Sequence, residues 1–223
     1  MIGVPVACLD AGVGVDEFSK LVAELGATAV VVNGDVPGKL SGMGDQLRFI
    51  DTQKADHWMT AVEASQISPI APDDTALILY TSGSTGLPKG VVHTPRTLQT
   101  KWLTLRQYMP LSIVERTLCA LPVHFGHGLI CNALYPLVHG KTVVVLPKAD
   151  MAALIKLPQI IDNYKISFMS SVPSIWKLVL RLCDSPQKGS LVQINIGSAP
   201  LASELWKQVQ AWAGTSRVWN TYG

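Results

Sequence analysis

The sequence predicts an α/β fold in which a mostly parallel sheet is flanked by helices. Short runs rich in β-branched residues alternate with amphipathic stretches along the chain, and this alternation is typical of parallel sheets covered by helices on both faces. Hydrophobic residues make up 48% of the 223 residues and charged residues only 15%, which favours a large buried core over disorder. No apolar run reaches the roughly 18 residues that a membrane span needs.

The first portion of the chain is predicted to form one strand–helix–strand unit. Residues 2–8 and 27–32 have the composition of strands, and residues 16–25 between them place apolar side chains at helical spacing. Gly26 is positioned to end that helix. Four glycines and a proline within residues 34–44 predict a loop after the unit.

A linker within residues 56–73 is predicted to precede the second portion, where strands and helices continue to alternate. Strands are predicted at 75–81, 90–93, 117–121, 142–146, 166–169, 191–196 and from 218 onwards. Helices are predicted at 95–109, 128–138, 152–164 with a kink at Pro158, 173–183 and 201–212. Ligands of parallel sheets sit at the carboxyl ends of strands, so the segments after Thr81 and Ile196 are candidate ligand sites.

The loop after the strand at 75–81 has the chemistry of a polyphosphate site. Residues 81–90 combine hydroxyl side chains, glycines and one lysine, Lys89. Glycines let the backbone approach a ligand closely, and backbone N–H groups and hydroxyls donate to phosphate oxygens. The loop is not a Walker A motif, because Pro88 and Gly90 flank the lysine.

The string Tyr80-Thr-Ser-Gly-Ser-Thr-Gly-Leu-Pro-Lys-Gly90 resembles the phosphate-binding signature of the adenylate-forming superfamily, which includes acyl-CoA synthetases, adenylation domains of peptide synthetases and luciferases. The match is long and unbroken. It implies that this chain is part of the large N-terminal domain of such an enzyme. The residues implied to bind the phosphates of ATP are Thr81, Ser82, Gly83, Ser84, Thr85, Gly86 and Lys89.

Three further segments are similar to family motifs in the same order along the chain. The first resembles the acyl-substrate pocket motif, which implies a pocket at His124, Phe125, Gly126 and His127. The second resembles the segment that lines the adenine and acyl sites, Gly197, Ser198, Ala199 and Pro200. The last resembles the motif whose tyrosine packs on adenine, Asn220, Thr221, Tyr222 and Gly223.

The resemblance implies ATP-dependent activation of a carboxylic acid as an acyl-adenylate, with Mg²⁺ on the phosphates and transfer of the acyl group to coenzyme A. His93 and Arg96 are more similar to acyl-CoA synthetases, and the His124–Phe125 order is nearer to aryl-CoA ligases. Two alternatives stay open. The protein could be an adenylation domain that loads a carrier protein, or a truncated, non-catalytic module that binds nucleotide.

The family motif that begins at Asn220 normally continues to a glutamate that binds Mg²⁺, and this sequence ends at Gly223. The resemblance therefore implies a fragment, residues 1–223, of the AMP-binding N-terminal domain, with a possible subdivision near 56–73 and without the C-terminal domain. We expect such a fragment to be inactive alone and to self-associate through exposed apolar faces.

Net charge and cysteine content bear on three further points, which are nucleic-acid binding, cellular location and metal binding. A net charge of +2 gives no electrostatic basis for binding nucleic acid. Four scattered cysteines favour a reducing, cytoplasmic location over a disulfide framework. Zinc could use the spacing of Cys119, His124, His127 and Cys131, but zinc sites prefer tighter cysteine pairs, so we expect no metal site here and instead a core cysteine with pocket histidines.

Overall fold

The computed structural model describes residues 4–33, 47–53, 69–81, 88–146 and 149–222. The chain forms two compact units. One comprises Met1–Val4 and Leu9–Ile70, and the other comprises Pro5–Cys8 and Ala71–Gly223. The boundary at Ile70 falls within the stretch where the sequence predicts a linker. The predicted loop at 34–44 lies outside the described residues.

The smaller unit contains helix α1 (Val15–Leu25) and the parallel strand pair β2 (Ala29–Val32) and β3 (Arg48–Asp51). The apolar side chains at helical spacing form its core, with Phe18 and Val22 packed around Leu47. The helix ends as predicted at Gly26, whose φ of 57° allows its N–H to bond back to the helix.

The predicted strand, helix and strand are present in that order, but strand β1 (Val6–Cys8) belongs to the larger unit, so the three elements do not form the one unit that the sequence predicts. β1 pairs in parallel with β4 (Leu77–Thr81), whereas β2 pairs with β3. β4 also pairs with β5 (Lys89–His93), antiparallel, so that the two strands form a hairpin. The pairing of β1 with β4 joins residues about 70 positions apart, which local periodicity cannot reveal.

The main sheet confirms the predicted fold class. Five parallel strands lie in the order β10, β9, β8, β6, β7. Their bounds are β6 Arg116–Cys119, β7 Thr142–Val145, β8 Phe168–Ser171, β9 Gln193–Gly197 and β10 Val218–Thr221. The order reverses between β6 and β8, because the chain moves from β6 outward to β7 and then returns to the other side of β6.

Helices cover both faces of this sheet. They are α2 Pro95–Tyr108, a π-helix His127–Leu134, α3 Tyr135–Val138, α4 Met151–Ile155, α5 Leu157–Tyr164, α6 Pro173–Leu182 and α7 Ser203–Ala213. The predicted helix at 128–138 is thus mostly a π-helix. The predicted helix at 152–164 is broken at Lys156 rather than kinked. Pro158 lies in the first turn of α5, where its missing N–H has no partner to lose.

The two faces of the sheet differ in polarity because strand side chains alternate. One face presents apolar residues to α4–α7 and forms the main core, with Leu118, Met169, Ile194, Ile196 and Val218. The other face lies beneath α2, the π-helix and α3. By the register of the strands, this second face includes Thr117, Cys119, Ser170, Gln193 and Asn195. All five residues are buried.

Candidate active site

The reversal of strand order between β6 and β8 marks a candidate ligand site. In open α/β sheets, ligands bind outside the carboxyl ends of the strands at the point where the order reverses. β6 ends at Cys119 and leads to the predicted acyl segment, and β8 ends at Ser171. Side chains that follow these two strands therefore meet at this edge.

His127 and Ser170 are brought together there. Nε2 of His127 lies 2.6 Å from Oγ of Ser170, which is only 1% exposed. Gly197, at the end of the neighbouring strand, faces the same place. A Cβ at Gly197 would lie 2.6 Å from Oγ1 of Thr221 and 3.5 Å from Cε1 of His127. One residue from each of three predicted segments (His127, Gly197 and Thr221) thus contributes to a single cluster.

The turn that positions His127 depends on a close backbone approach at Gly128. A Cβ there would lie 2.3 Å from the carbonyl oxygen of Pro122 and 2.9 Å from that of Leu121. The π-helix begins at this turn, and at its end the N–H of Tyr135 reaches the carbonyl of Ile130, five residues back. π-helices are rare and occur frequently at functional sites.

The predicted acyl segment also contacts the strand that leads to the predicted phosphate loop. A Cβ at Gly126 would lie 3.3 Å from Cδ1 of Leu79 in β4. His124 and Phe125 precede it in the turn, their rings 4.3 Å apart between centroids. Phe125 is exposed and His124 half-buried. The acyl segment and the β4–β5 hairpin therefore lie side by side.

The two ends of the predicted phosphate loop face each other across the β4–β5 hairpin. Thr81 pairs with Lys89, and the Thr81 hydroxyl donates to the Lys89 carbonyl at 3.4 Å. Both residues are exposed. The predicted phosphate ligands between them, Ser82, Gly83, Ser84, Thr85 and Gly86, lie outside the described residues.

The predicted adenine segments follow β9 and β10 at the same edge of the sheet. Ser198 has a φ of 65°, a conformation that costs a non-glycine residue energy and clusters at functional sites. Ala199 and Pro200 after it are exposed. Asn220 and Thr221 end β10, and Tyr222 projects with 90% of its surface exposed. Gly223 lies outside the described residues.

Burial, and to a lesser degree Lys101 on α2, shift the pKa values of side chains in and near the cluster. Burial, and then the positive charge of Lys101, hold the pKa of His127 below its usual range, and the same two causes lower the pKa of His93. Burial raises the pKa of the Cys131 thiol, which Lys101 partly opposes. His127 is therefore neutral at pH 7, with one ring nitrogen able to donate and the other to accept.

Removal of this charge should raise the pKa of His127. In a Lys101→Ala variant the repulsion that disfavours the imidazolium is gone, so more of the ring is protonated at pH 6 than in the wild type. An NMR titration of the imidazole Cε1–H resonance measures the change. Arg106→Ala removes a charge from the same helix and should leave His127 unmoved. An equal shift in both variants would contradict the assignment to Lys101.

Cys119 packs in the core, as the sequence favoured over a zinc ligand. Its Sγ lies 3.6 Å from the carbonyl oxygens of Leu121 and Gly128. Within the described ranges, no three or more His, Cys, Asp or Glu side chains gather where they could hold a metal ion.

Sequence reasoning missed Ser170, Lys101 and the buried Asn132 of the π-helix. The adjacent polar pair Ser170–Ser171 at the end of an otherwise apolar strand was an available signal for the first. Lys101 carries no sequence signal, because only the packing of α2 brings it near the site.

No helix in the described part of the chain has the length and apolarity that crossing a membrane requires.

The family model for AMP-binding enzymes matches residues 1–223. The chain belongs to the AMP-binding enzyme family. The adenylate-forming resemblance drawn from Tyr80–Gly90 is thereby confirmed.

Relatives come from both branches of the family considered above. The 4-coumarate–CoA ligase-like 2 protein of Arabidopsis thaliana is 32% identical over 197 residues, covering 83% of this chain and 34% of that protein. A dimodular nonribosomal peptide synthase of Bacillus subtilis is 32% identical over 141 residues, covering 63% of this chain and 6% of that protein. The chain thus spans about a third or less of the length of these relatives.

Solved structures agree on the fold. The o-succinylbenzoate coenzyme A synthetase MenE of Bacillus subtilis, in complex with ATP and magnesium ion, superposes with a TM-score of 0.82 at 22% identity, over 99% of this chain and 44% of that one. ATP-bound MatB from Rhodopseudomonas palustris gives a TM-score of 0.78 at 24% identity, over 96% and 44%.

Proposed function

We propose that this chain is the ATP- and acid-binding part of an enzyme that activates a carboxylic acid as an acyl-adenylate and then passes the acyl group to coenzyme A. The family match over the whole chain carries the proposal. The cluster of His127, Gly197 and Thr221 at the strand reversal supports it, because three motif segments converge there.

The nucleotide is proposed to bind along the carboxyl edge of the sheet. Thr81 and Lys89, with the loop between them, would hold the β- and γ-phosphates, since hydroxyls and an ammonium suit phosphate oxygens. The segment at 197–200 and the exposed ring of Tyr222 would contact adenine, where stacking on a base contributes about 1–3 kcal/mol. Mg²⁺ would enter with the phosphates and be held mainly by their oxygens.

The acid is proposed to bind in the turn at 124–127, beside Gly197. A carboxylate oxygen attacks the α-phosphorus of ATP, the bond to the β-phosphate oxygen breaks, and pyrophosphate leaves. A thiol sulfur then attacks the acyl carbon, loses its proton and displaces AMP. The chain's residues contribute by positioning the reactants and neutralising charge, which dominate catalysis of phosphoryl-type displacements.

Pyrophosphate exchange into ATP tests the proposal. In the protein encoded by the complete reading frame, one class of acid should support exchange, and Lys89→Ala should slow it at least tenfold, about 1.4 kcal/mol in transition-state stabilisation. Lys207→Ala, which removes an exposed lysine from helix α7, should leave the rate unchanged. ATP binding without exchange for any acid would contradict the enzymatic role.

The peptide synthase relative favours a second candidate for the acceptor, a carrier-protein thiol. The adenylation half-reaction is common to both candidates, so exchange does not separate them. Release of AMP that depends on coenzyme A supports the first. Acyl transfer only to a carrier protein with a phosphopantetheine arm supports the second.

We further propose a cytoplasmic location and an assignment of residues 1–223 to the AMP-binding N-terminal domain. All four cysteines are free, as in reducing compartments. We propose no role in nucleic-acid binding, given the near-neutral charge. Self-association of this segment alone remains a prediction, which light scattering at high concentration measures.

A further inference from the structure

The sheet face that underlies the proposed acid site is unusually polar for a buried surface. Ser170 lies beside Asn195 in register, and Asn195 is followed two residues later by Gly197. Ser170 and Asn195 are 1% and 7% exposed. Buried polar groups are costly unless they are hydrogen-bonded, so a polar face at this position requires partners.

Hydrogen bonds between protein side chains satisfy part of this face, in two groups. His127 is hydrogen-bonded to Ser170. In the second group, the Gln193 amide donates to Oδ1 of Asn195 at 3.0 Å, and Nδ2 of Asn195 donates to Sδ of Met109 at 3.2 Å. An apolar pocket would not be lined by polar side chains of this kind.

Some hydrogen-bonding groups on this face, and in the helices that cover it, have no protein partner among the described residues. Within the part of the chain that the structure describes, Oε1 of Gln193 and both amide atoms of Asn132 have no hydrogen-bond partner. Asn132 is fully buried in the π-helix that His127 begins. The layer between this face of the sheet and the helices that cover it therefore carries donors and acceptors beyond those that the protein pairs internally.

The charge state of His127, which is hydrogen-bonded to Ser170, limits which ligand groups the two residues can recognise. His127 is held neutral by burial and by Lys101. Nε2 of the neutral imidazole is engaged by the buried Ser170 hydroxyl, so the ring offers a ligand its Nδ1, which donates or accepts according to the tautomer. A hydroxyl group matches Nδ1 in either tautomer, and a carbonyl group matches it when Nδ1 carries the proton. A methyl group at the same point would leave Nδ1 of His127 unpaired.

We propose that Ser170 and His127 act together as a specificity-determining pair, which selects carboxylic acids that bear an uncharged hydrogen-bonding substituent over acids of equal size with an alkyl group. Ser170 is a positioning residue, since it acts by fixing the ring of His127. The inference rests on the proposed function, because the acid is assigned to the turn that ends at His127. Sites built to hydrogen-bond a substrate group reject the analogue that lacks it strongly.

Acid selectivity in pyrophosphate exchange tests the pair. The full-length protein is assayed with aromatic and aliphatic acids in sets whose members differ only in a hydroxyl, methyl or carboxylate substituent. The variants are Ser170→Ala, Ser170→Thr, which keeps a hydroxyl, and Ser171→Ala. Ser171 is the matched control because it points to the opposite face and accepts a hydrogen bond from Nε1 of Trp176.

The wild type should prefer the hydroxyl member of a set by at least tenfold in kcat/KM over both others. Ser170→Ala should reduce that preference at least tenfold by lowering kcat/KM for the hydroxyl acid alone. Ser170→Thr should restore it in part, and Ser171→Ala should retain the wild-type ratio. Exchange without this preference, or a preference that survives Ser170→Ala, would overturn the inference and leave the proposed function standing. If no acid supports exchange, both the inference and the proposed function are overturned.

Discussion

Replacing Trp176 by alanine should lower the free energy of unfolding by about 3–5 kcal/mol, the range for truncating a buried tryptophan. Trp176 is fully buried at the centre of the apolar face, where α6 and α7 pack on the sheet. Its ring meets that of Trp212 edge-on, with centroids 5.3 Å apart, and its Nε1–H donates to Oγ of Ser171 at 2.5 Å. The variant loses packing, an aromatic pair and a hydrogen bond at once.

Chemical denaturation of the full-length protein measures this loss. Trp176→Phe keeps an aromatic ring and should cost less than Trp176→Ala. Trp219→Ala serves as the matched control, because Trp219 is 42% exposed on strand β10. If the midpoints of Trp176→Ala and Trp219→Ala shift equally, the apolar face is not the main source of stability.

Gly128→Ala is expected to have the second large effect. The new methyl group would lie 2.3 Å from the Pro122 carbonyl oxygen and 2.9 Å from that of Leu121. Both atoms belong to the backbone and cannot rotate away, so the turn itself must open. Overpacking typically costs 1–3 kcal/mol and sometimes more, and we expect a cost of about 3 kcal/mol here. Because His127 is the preceding residue, exchange activity should fall with stability.

Gly126→Ala provides the matched comparison within the same turn. Its methyl group would meet only the ends of side chains, Cδ1 of Leu79 at 3.3 Å and Cδ1 of Ile130 at 3.9 Å, and a side-chain end can shift by a few tenths of an ångström. Thermal unfolding of the two variants should therefore separate them clearly. Equal melting temperatures would show that the close approach at Gly128 does not constrain the turn.

Local sequence signals predicted most of the larger unit correctly. The strand predicted at 142–146, rich in β-branched side chains, is β7 (Thr142–Val145), and Thr94 caps the start of α2 with a capping box ahead of Pro95. Both depend on neighbours within a few positions, which the sequence displays directly. The proposed site was predictable to the level of its segments, since His127, Gly197 and Thr221 each lie in a motif.

Features that depend on distant residues were not predictable. The pairing of β1 with β4 rather than with β2 is decided by tertiary contacts. The π-helix arises at the close approach of Gly128 to Pro122, which no periodicity in residues 128–138 encodes. Ser170 became a candidate only when the strand order placed its hydroxyl beside His127.

The alternation of side chains along the central strands has an evolutionary consequence. In β8 and β9, neighbouring positions such as Met169 and Ser170, or Ile194 and Asn195, point to opposite faces. If the acid binds where we propose, substitutions at Ser170 or Asn195 are therefore expected to change which acid is accepted while the tightly packed side of the sheet is preserved. A mutant library confined to the positions of these strands that face the polar side of the sheet should diversify substrate preference with few misfolded members. Substitutions that accumulate during evolution of this protein are expected at the same alternate positions.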